Sequence, residues 1–496
     1  MHFSFYLHFV VFLNKVMSQV AKGFVWSTVE RFSCQGINFL LSIIIARIVS
    51  PSSYGLIVLI QVFLSFSQLF VDSGFTNALI QKKNRTEIDY CTVFIFNLFV
   101  AICVYFILFF SAPYIANFYN EPQLTNITRV ISLNLILSSL SIVQRARLTI
   151  NLDFKTQTKA GLTAVIVSGI IGIFCAYSNM EVWALVIQGL TSQAIITFCL
   201  MYYSRWMPSV TFSRDSFTAL FKYGSKLLAN NILTNIYINI YNLIIGKRYL
   251  PMELAFYNRA FTLSYFPSAN ISEVLNRVIF PVLTKHQDDK TKLKEYYFRY
   301  LHLTCFIIYP LMGLLIIMAK PLIIVLLTEK WLPTVPYLQT FCINFMLYPI
   351  IQQSGNPVAA IGHVGILLKY QFVKRTVSFL MLLLTLNHGV LAICWGVVLS
   401  SLFEAFINVY IEKKEIGISF SEQIKFQIDI LLLTLGTCMC VYVITLIIDI
   451  PILQIIIGGG VGFIFYISGT LLFNVQERVY VGRIFKQNSG KRELFK

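Results

Sequence analysis

Charge is scarce in this sequence. Asp, Glu, Lys and Arg make up 12% of its 496 residues, about half the ~25% of an ordinary soluble domain. Acids are the scarcer sign, 22 against 39 Lys and Arg, for a net charge of +17. The ten cysteines lie scattered through apolar runs, and no Cys-x-x-Cys joins a second such pair or a histidine pair. Neither a zinc site nor a disulfide framework is therefore supported. There is no Gly-x-x-x-x-Gly-Lys phosphate loop, so nothing in the chain points to nucleotide hydrolysis, and no cofactor is implied. Long polar loops on the base-poor side are missing too. The longest, 319–334, has about sixteen residues, which leaves no room for a soluble catalytic domain.

What is abundant is apolar text: 57% of residues are hydrophobic and the mean hydropathy is +0.72. A soluble chain could not hide that much apolar surface, so lipid must be the solvent for much of it. The sequence predicts an all-α integral membrane protein. Apolar stretches fall near 23–48, 54–79, 91–112, 127–148, 160–178 and 182–203, then near 223–246, 254–279, 299–319, 335–352, 364–386 and 389–411. A last pair lies near 427–448 and 451–473. Each of these fourteen is about long enough to cross ~30 Å of hydrocarbon at 1.5 Å per residue. The apolar run at 3–13 is too short to span and lacks the flanks of a signal peptide. Residues 1–16 are therefore read as an extension that adds no span.

The bases test this map. With a cytoplasmic N-terminus, 27 of the 39 Lys and Arg fall in inner loops and tails, five in outer loops and seven inside spans. That asymmetry is what the positive-inside rule demands, with both termini cytoplasmic. Much of the net charge is then topological, and nucleic acid is not needed as a partner to explain it.

One phrase occurs twice. "IIIARIVSPSSYG" at 43–55 is echoed 200 residues later by "LIIGKRYLPMELA" at 243–255. Ile44, Ile45, Ala46 and Arg47 match Ile244, Ile245, Gly246 and Lys247; Pro51 matches Pro251, and Gly55 matches Ala255. Each phrase reads as a helix end with an interfacial base, a Pro-containing turn and a small residue for close packing. An even number of spans separates them, so the repeats run in parallel, the arrangement of two lobes with a substrate site at their interface. The predicted organisation is a 1–16 extension, a six-helix lobe over 17–205, an interfacial linker at 206–222 and a second six-helix lobe over 223–412. Two added helices (413–475) and a basic cytoplasmic tail (476–496) follow.

The phrases "VWSTVERFSCQGINFLLSIIIARIVSPSSYGLIVLI", "LFVDSGFTNALIQKKN", "NLDFKTQTKAG" and "VIFPVLTKHQDD" resemble the polysaccharide transporter family of lipid-linked oligosaccharide flippases. That family belongs to the multidrug/oligosaccharidyl-lipid/polysaccharide exporter superfamily. The resemblance runs from about residue 18 to 420. It implies a V-shaped pair of six-helix lobes with two extra C-terminal helices, moving a polyprenyl-diphosphate-linked sugar outward across a bacterial cytoplasmic membrane by alternating access.

Charges within spans are costly and mark candidate sites. Glu30 and Arg31 in the first span and Asp72 in the second lie at similar inner-half depth. They read either as a salt bridge pinning two helices or as one wall of a polar cavity or proton relay. Lys369, Lys374 and Arg375 in the eleventh span and Glu404 in the twelfth repeat that depth. Lys374 and Arg375 stand about 100° apart on a helix, so one can pair with Glu404 while the other faces a cavity. Arg129, Arg259, Glu273 and Arg277 complete the set. An excess of bases suits a diphosphate, because guanidinium binds phosphate oxygens bidentately. Arg31, Arg129, Arg259, Arg277, Lys374 and Arg375 are therefore the substrate-binding candidates, with Glu30, Asp72, Glu273 and Glu404 as charge partners. Tyr237, Tyr241, Tyr257 and Tyr265 are candidates for stacking on sugars, against a stronger expectation of ordinary packing. Pro310, Pro349 and Pro357 are expected to kink or interrupt helices.

The sequence thus predicts a flippase for a lipid-linked oligosaccharide in surface polysaccharide assembly, driven by an ion or substrate gradient. Its partners would be that substrate, membrane lipids and polymerase or assembly proteins of the pathway. Two rivals stand beside it: a drug or cation antiporter of the same superfamily, and a membrane-embedded polysaccharide polymerase or ligase, which would need a large catalytic outer loop.

Overall fold

The computed structural model describes residues 33–472, and among these every regular element is helical. The expected extension at 1–16, the whole C-terminal tail at 476–496, and Glu30 and Arg31 lie outside the described residues. The chain divides into two compact units, one ending at Ala255 and the other beginning at Phe256.

The first unit contains α1 (Ser33–Ile48), α2 (Pro51–Asp72), α3 (Phe75–Gln81), α4 (Glu87–Tyr119), α5 (Leu124–Ile131), α6 (Leu133–Ile150), α7 (Phe154–Tyr177), α8 (Val182–Ser204) and α9 (Arg214–Arg248). Local chemistry sets the breaks. α2 starts on Ser50, whose hydroxyl accepts from the Ser53 N–H, with Pro51 in the first turn. Glu181 adds to this cap, its Oε2 accepting from the Ser50 and Ser53 hydroxyls at 2.9 and 2.8 Å. Negative charge at a helix N-terminus is favourable. α2 ends where Ser73 and Gly74 take left-handed conformations, φ 47° and 72°. A Thr86/Asp89 capping box opens α4, and Lys82 holds the buried Asp89 at 2.7 Å. At 33 residues, α4 is about 50 Å long and outruns the hydrocarbon.

Of the interfacial linker expected at 206–222, residues 214–222 form the opening turns of α9, a continuous 35-residue helix capped by Ser213. α9 packs on α2, α3 and α4. At its far end Lys247 donates to the Phe118 carbonyl and lies 4.4 Å from the Phe118 ring, tying α9 to the end of α4.

Helix α10 (Pro251–Lys285) runs from the first unit into the second, which continues with α11 (Lys290–Ile317), α12 (Ala319–Leu327), α13 (Thr334–Met346), α14 (Tyr348–Gln353), α15 (Gly355–Ala360), α16 (Val364–Thr385), α17 (Val390–Ile416), α18 (Phe420–Ile447) and α19 (Pro451–Leu472). Asp289 caps α11, accepting from the Lys292 and Thr291 N–H groups at 3.1 Å, and these bonds hold its carboxyl below the usual carboxylate range. The apolar stretch expected at 335–352 is not one helix. Its backbone breaks at Leu347, Pro349 opens α14, and Pro357 lies in the short α15. Pro310, in contrast, sits inside an unbroken α11. α18 and α19 pack on each other, α18 also on α11 and α19 also on α12. Tyr309 donates to Gln427 at 2.6 Å and Tyr466 to the Phe306 carbonyl at 2.8 Å across these contacts.

Among the described residues, nine segments are long and apolar enough to cross a membrane: Pro51–Gln81, Glu87–Tyr119, Leu124–Ile150, Phe154–Tyr177, Val182–Ser204, Lys290–Ile317, Val390–Ile416, Phe420–Ile447 and Pro451–Leu472. α9, α10 and α16 have the length without the hydropathy, because asparagines interrupt α9 and charges interrupt α10 and α16.

Candidate functional site

Two polar segments of the second unit collect its charged candidates. On α10, one turn apart, Arg277 donates to Glu273 Oε1 at 2.7 Å, with side chains 51% and 43% exposed. An exposed ion pair of this kind contributes little to stability. It leaves a planar guanidinium fork open to its surroundings, which is what an anionic ligand requires. Asn276 is on the same stretch, and its Oδ1 accepts from Asn356 on α15 at 2.7 Å, holding α10 against the broken segment.

The second cluster joins α16 to α17. Lys374 is buried; its Nζ lies 3.8 Å from Glu404 Oε1 and donates to Asn408 Oδ1. Asn408 in turn donates to the Ile351 carbonyl at 3.1 Å, which brings α14 into the network. Arg375, one residue on, points elsewhere. With the Gln371 amide oriented to satisfy its neighbours, the amide oxygen accepts from Arg375 Nε at 3.1 Å and from Arg375 Nη2 at 2.7 Å. The two adjacent bases therefore have different surroundings, one paired inside the unit and one held along its own helix.

The remaining candidates are dispersed. Arg129 lies 4.6 Å from the Phe109 ring and donates to the Phe109 carbonyl at 3.4 Å. Arg259 lies 5.3 Å from the ring of the buried Trp331. Both are cation–π geometries that anchor helices. Asp72 accepts from the Thr76 hydroxyl across the α2–α3 bend. Tyr257 packs edge-on against Phe341 of α13 at 5.1 Å, and Tyr265 packs against Phe345 at 5.5 Å in a tilted geometry.

Sequence reasoning passed over one acid. Glu412, on the last turns of α17, is fully buried; its Oε2 accepts from Gln423, and its Oε1 has no hydrogen-bond partner among the described residues. The apolar run ends at 411, so hydropathy assigns Glu412 to the loop. Its signal is the i, i+4 series Glu404, Asn408, Glu412, a polar stripe continuing the Lys374 network along one face of α17.

Between α11, α12 and α19 an apolar groove of about 430 Å³ is lined by Phe306, Pro310, Leu314, Met318, Phe463 and Tyr466 among others.

The profile of a family described as "Polysaccharide biosynthesis protein" matches residues 44–336, more than half of the chain. A "Lipopolysaccharide biosynthesis protein WzxC" of Escherichia coli K12 is 24% identical over 413 residues, covering 81% of this chain and 82% of that protein. A Klebsiella pneumoniae "membrane protein in cps region" is 25% identical over 450 residues, covering 88% and 92%. Among solved structures, the inward closed "Lipid II flippase MurJ" superposes with a TM-score of 0.74 at 16% identity over 92% of this chain and all of that one, a likeness of fold. The chain belongs to the polysaccharide biosynthesis protein family.

Proposed function

We propose that this chain is a flippase that moves a lipid-linked oligosaccharide across the bacterial cytoplasmic membrane for surface polysaccharide assembly. The observation that carries the reading most directly is the half-exposed Arg277 fork on a helix with spanning length and polar composition. Such a fork matches the paired oxygens of a diphosphate and would repel an organic cation. Membership of the family, the name borne by the Escherichia coli relative and the fold of a lipid II flippase support the same substrate class. The groove beside α19 offers apolar surface for the lipid tail.

The finer reading has fourteen membrane crossings in two six-helix lobes plus α18 and α19. Both termini are cytoplasmic, the substrate passes by alternating access, and the glycan is handed to a polymerase on the far side. Arg31, Arg277 and Arg375 contact the diphosphate, while Glu30, Asp72 and Glu404 orient charge around them.

Reconstitution tests it. Proteoliposomes holding the full chain and a lipid-linked glycan pool from a host strain deleted for it should expose the glycan to an external glycosidase faster than empty liposomes do. Equal rates would reject the flippase. Uptake of a cationic drug against a proton gradient would favour the antiporter.

A further inference from the structure

The first unit carries polar side chains that the charge-based reading leaves unused. On α2, Gln61, Ser65 and Gln68 recur at i, i+4 and i+7, so they share one face of an otherwise apolar helix. On α9, Asn235 and Asn239 do the same, and on α6 so do Asn134 and Ser138. The three stripes meet. Ser138 Oγ donates to Gln68 Oε1 at 3.0 Å, joining α6 to α2. Ser65 Oγ donates to Asn235 Oδ1 at 3.2 Å, and Asn239 Nδ2 donates to Ser65 Oγ at 3.3 Å and to Asn235 Oδ1 at 2.9 Å, joining α2 to α9. A cavity of about 320 Å³ opens where α2 and α6 diverge, lined by Gln61, Ser65, Gln68 and Asn134 together with Leu64, Leu69 and Leu135. That volume is at the small end of the ligand-site range, about 300–1,000 Å³.

Amides between membrane helices often serve only as interhelical hydrogen bonds. That role requires each to be paired, and here one is not. Asn134 Oδ1 is buried with no hydrogen-bond partner among the described residues, and Gln61 stands exposed on the cavity wall. Unpaired polar groups at membrane depth are costly unless something polar occupies the space beside them. No charged side chain lines the cavity, which argues against a diphosphate, a metal ion or an organic cation as its occupant. Neutral groups offering N–H donors, carbonyl acceptors and a hydroxyl, beside leucine side chains, match the hydroxyls, acetamido groups and C–H faces of a sugar ring.

We infer that the α2–α6 cleft of the first unit is a carbohydrate subsite, binding a sugar of the lipid-linked glycan through neutral amide and hydroxyl contacts separate from the basic groups that take the diphosphate. The inference rests on the flippase reading and assigns recognition of the sugar to side chains outside the charged set. Gln61→Leu and Asn134→Leu remove one hydrogen-bonding amide each without adding charge, and Gln61 is exposed, so its replacement leaves the helix packing intact.

The experiment uses the full chain in lipid nanodiscs. Two probes are titrated: the lipid-linked glycan pool from the deletion strain, and polyprenyl diphosphate without sugar. The wild-type protein should bind the glycan-bearing lipid more tightly. Each variant should lose roughly five- to tenfold of that affinity, as one or two lost hydrogen bonds imply, while affinity for the sugar-free lipid stays unchanged. Variants that keep full affinity for the glycan lipid, or weaken both probes equally, would overturn the subsite and leave the flippase reading standing. A wild-type protein that binds neither probe would overturn both.

Discussion

The carbonyl oxygen of Pro251 occupies the space a side chain on Gly55 would need: a β-carbon there would lie 1.8 Å from it. Gly55 is near the start of α2 and Pro251 opens α10, so the glycine of the first copy of the repeated phrase meets the proline of the second. The contact is reciprocal. Gly246, at the end of α9, packs so closely on α2 that a β-carbon would lie 2.1 Å from Leu59 Cδ2. The duplicated text therefore marks the place where its two copies cross, each contributing a small residue to the other's helix.

Gly55→Ala should destabilise the protein by about 1–3 kcal/mol or more, because a backbone carbonyl cannot swing aside as a side-chain tip can. Gly246→Ala meets side-chain atoms and no backbone, Leu59 Cδ2 at 2.1 Å, Tyr119 Cε1 at 3.3 Å and Leu254 Cδ2 at 3.4 Å, and should cost less. Gly189→Ala has nothing within 4 Å of its new carbon and should be neutral or slightly stabilising, since alanine is the better helix former. Thermal unfolding of the three variants in one detergent should rank them in that order.

Lys374 and Glu404 make a second pair with a measurable signature. Replacing Lys374 by Met strands Glu404 and Asn408 in a buried network, a change that costs roughly 3–5 kcal/mol at such sites. Lys374→Met combined with Glu404→Gln should recover part of that loss, and the exchange Lys374→Glu with Glu404→Lys should recover more. Pairing Glu404 with a changed Arg375 should rescue nothing. Folded yield and unfolding temperature check all four.

How far the sequence reaches can be seen in these same residues. The repeat, the helix breaks at Pro51 and Pro251, and most apolar helices are legible because proline, capping and hydropathy act locally. Which of Lys374 and Arg375 would meet Glu404 was not, since the two stand 100° apart and only the packing of α17 on α16 chooses between them. Gly458–Gly460 shows the same limit. The run promises close helix packing, yet Gly458 faces Met318 Cε, Gly462 faces Val441 and Leu314, and Gly459 and Gly460 face open space. The broken segment of α12 to α15 was blurred for another reason: hydropathy counts apolar residues and does not register that Leu347, Pro349 and Pro357 interrupt a helix. Glu412 and the amide cleft escaped because a window of about 19 residues averages single polar side chains away.

The proposed orientation rests on the bases and can be read at loop positions that leave helices whole. Asn120 follows α4, Leu152 lies in the turn between α6 and α7, and Asp289 precedes α11. Reporter fusions after Asn120 should read as outside, and fusions after Leu152 and Asp289 as inside. An inside reading at Asn120 would reverse the whole map.

Arg277 gives the sharpest test of the diphosphate contact. Arg277→Gln removes the charge and the fork, and loss of a charge-assisted hydrogen bond of about 1.5–3 kcal/mol should slow flipping some 10- to 100-fold at equal protein levels. Arg277→Lys keeps the charge but not the two parallel N–H donors, so it should restore only part of the rate if the ligand is held bidentately. Glu273→Gln should have a smaller effect, because the exposed carboxylate only orients the guanidinium. Arg129→Lys, whose parent packs on Phe109, should leave flipping near normal. Should Arg277→Gln flip at the wild-type rate while Arg129→Lys does not, the diphosphate would have to be sought beside α4 and α5, and the role given to α10 would be withdrawn.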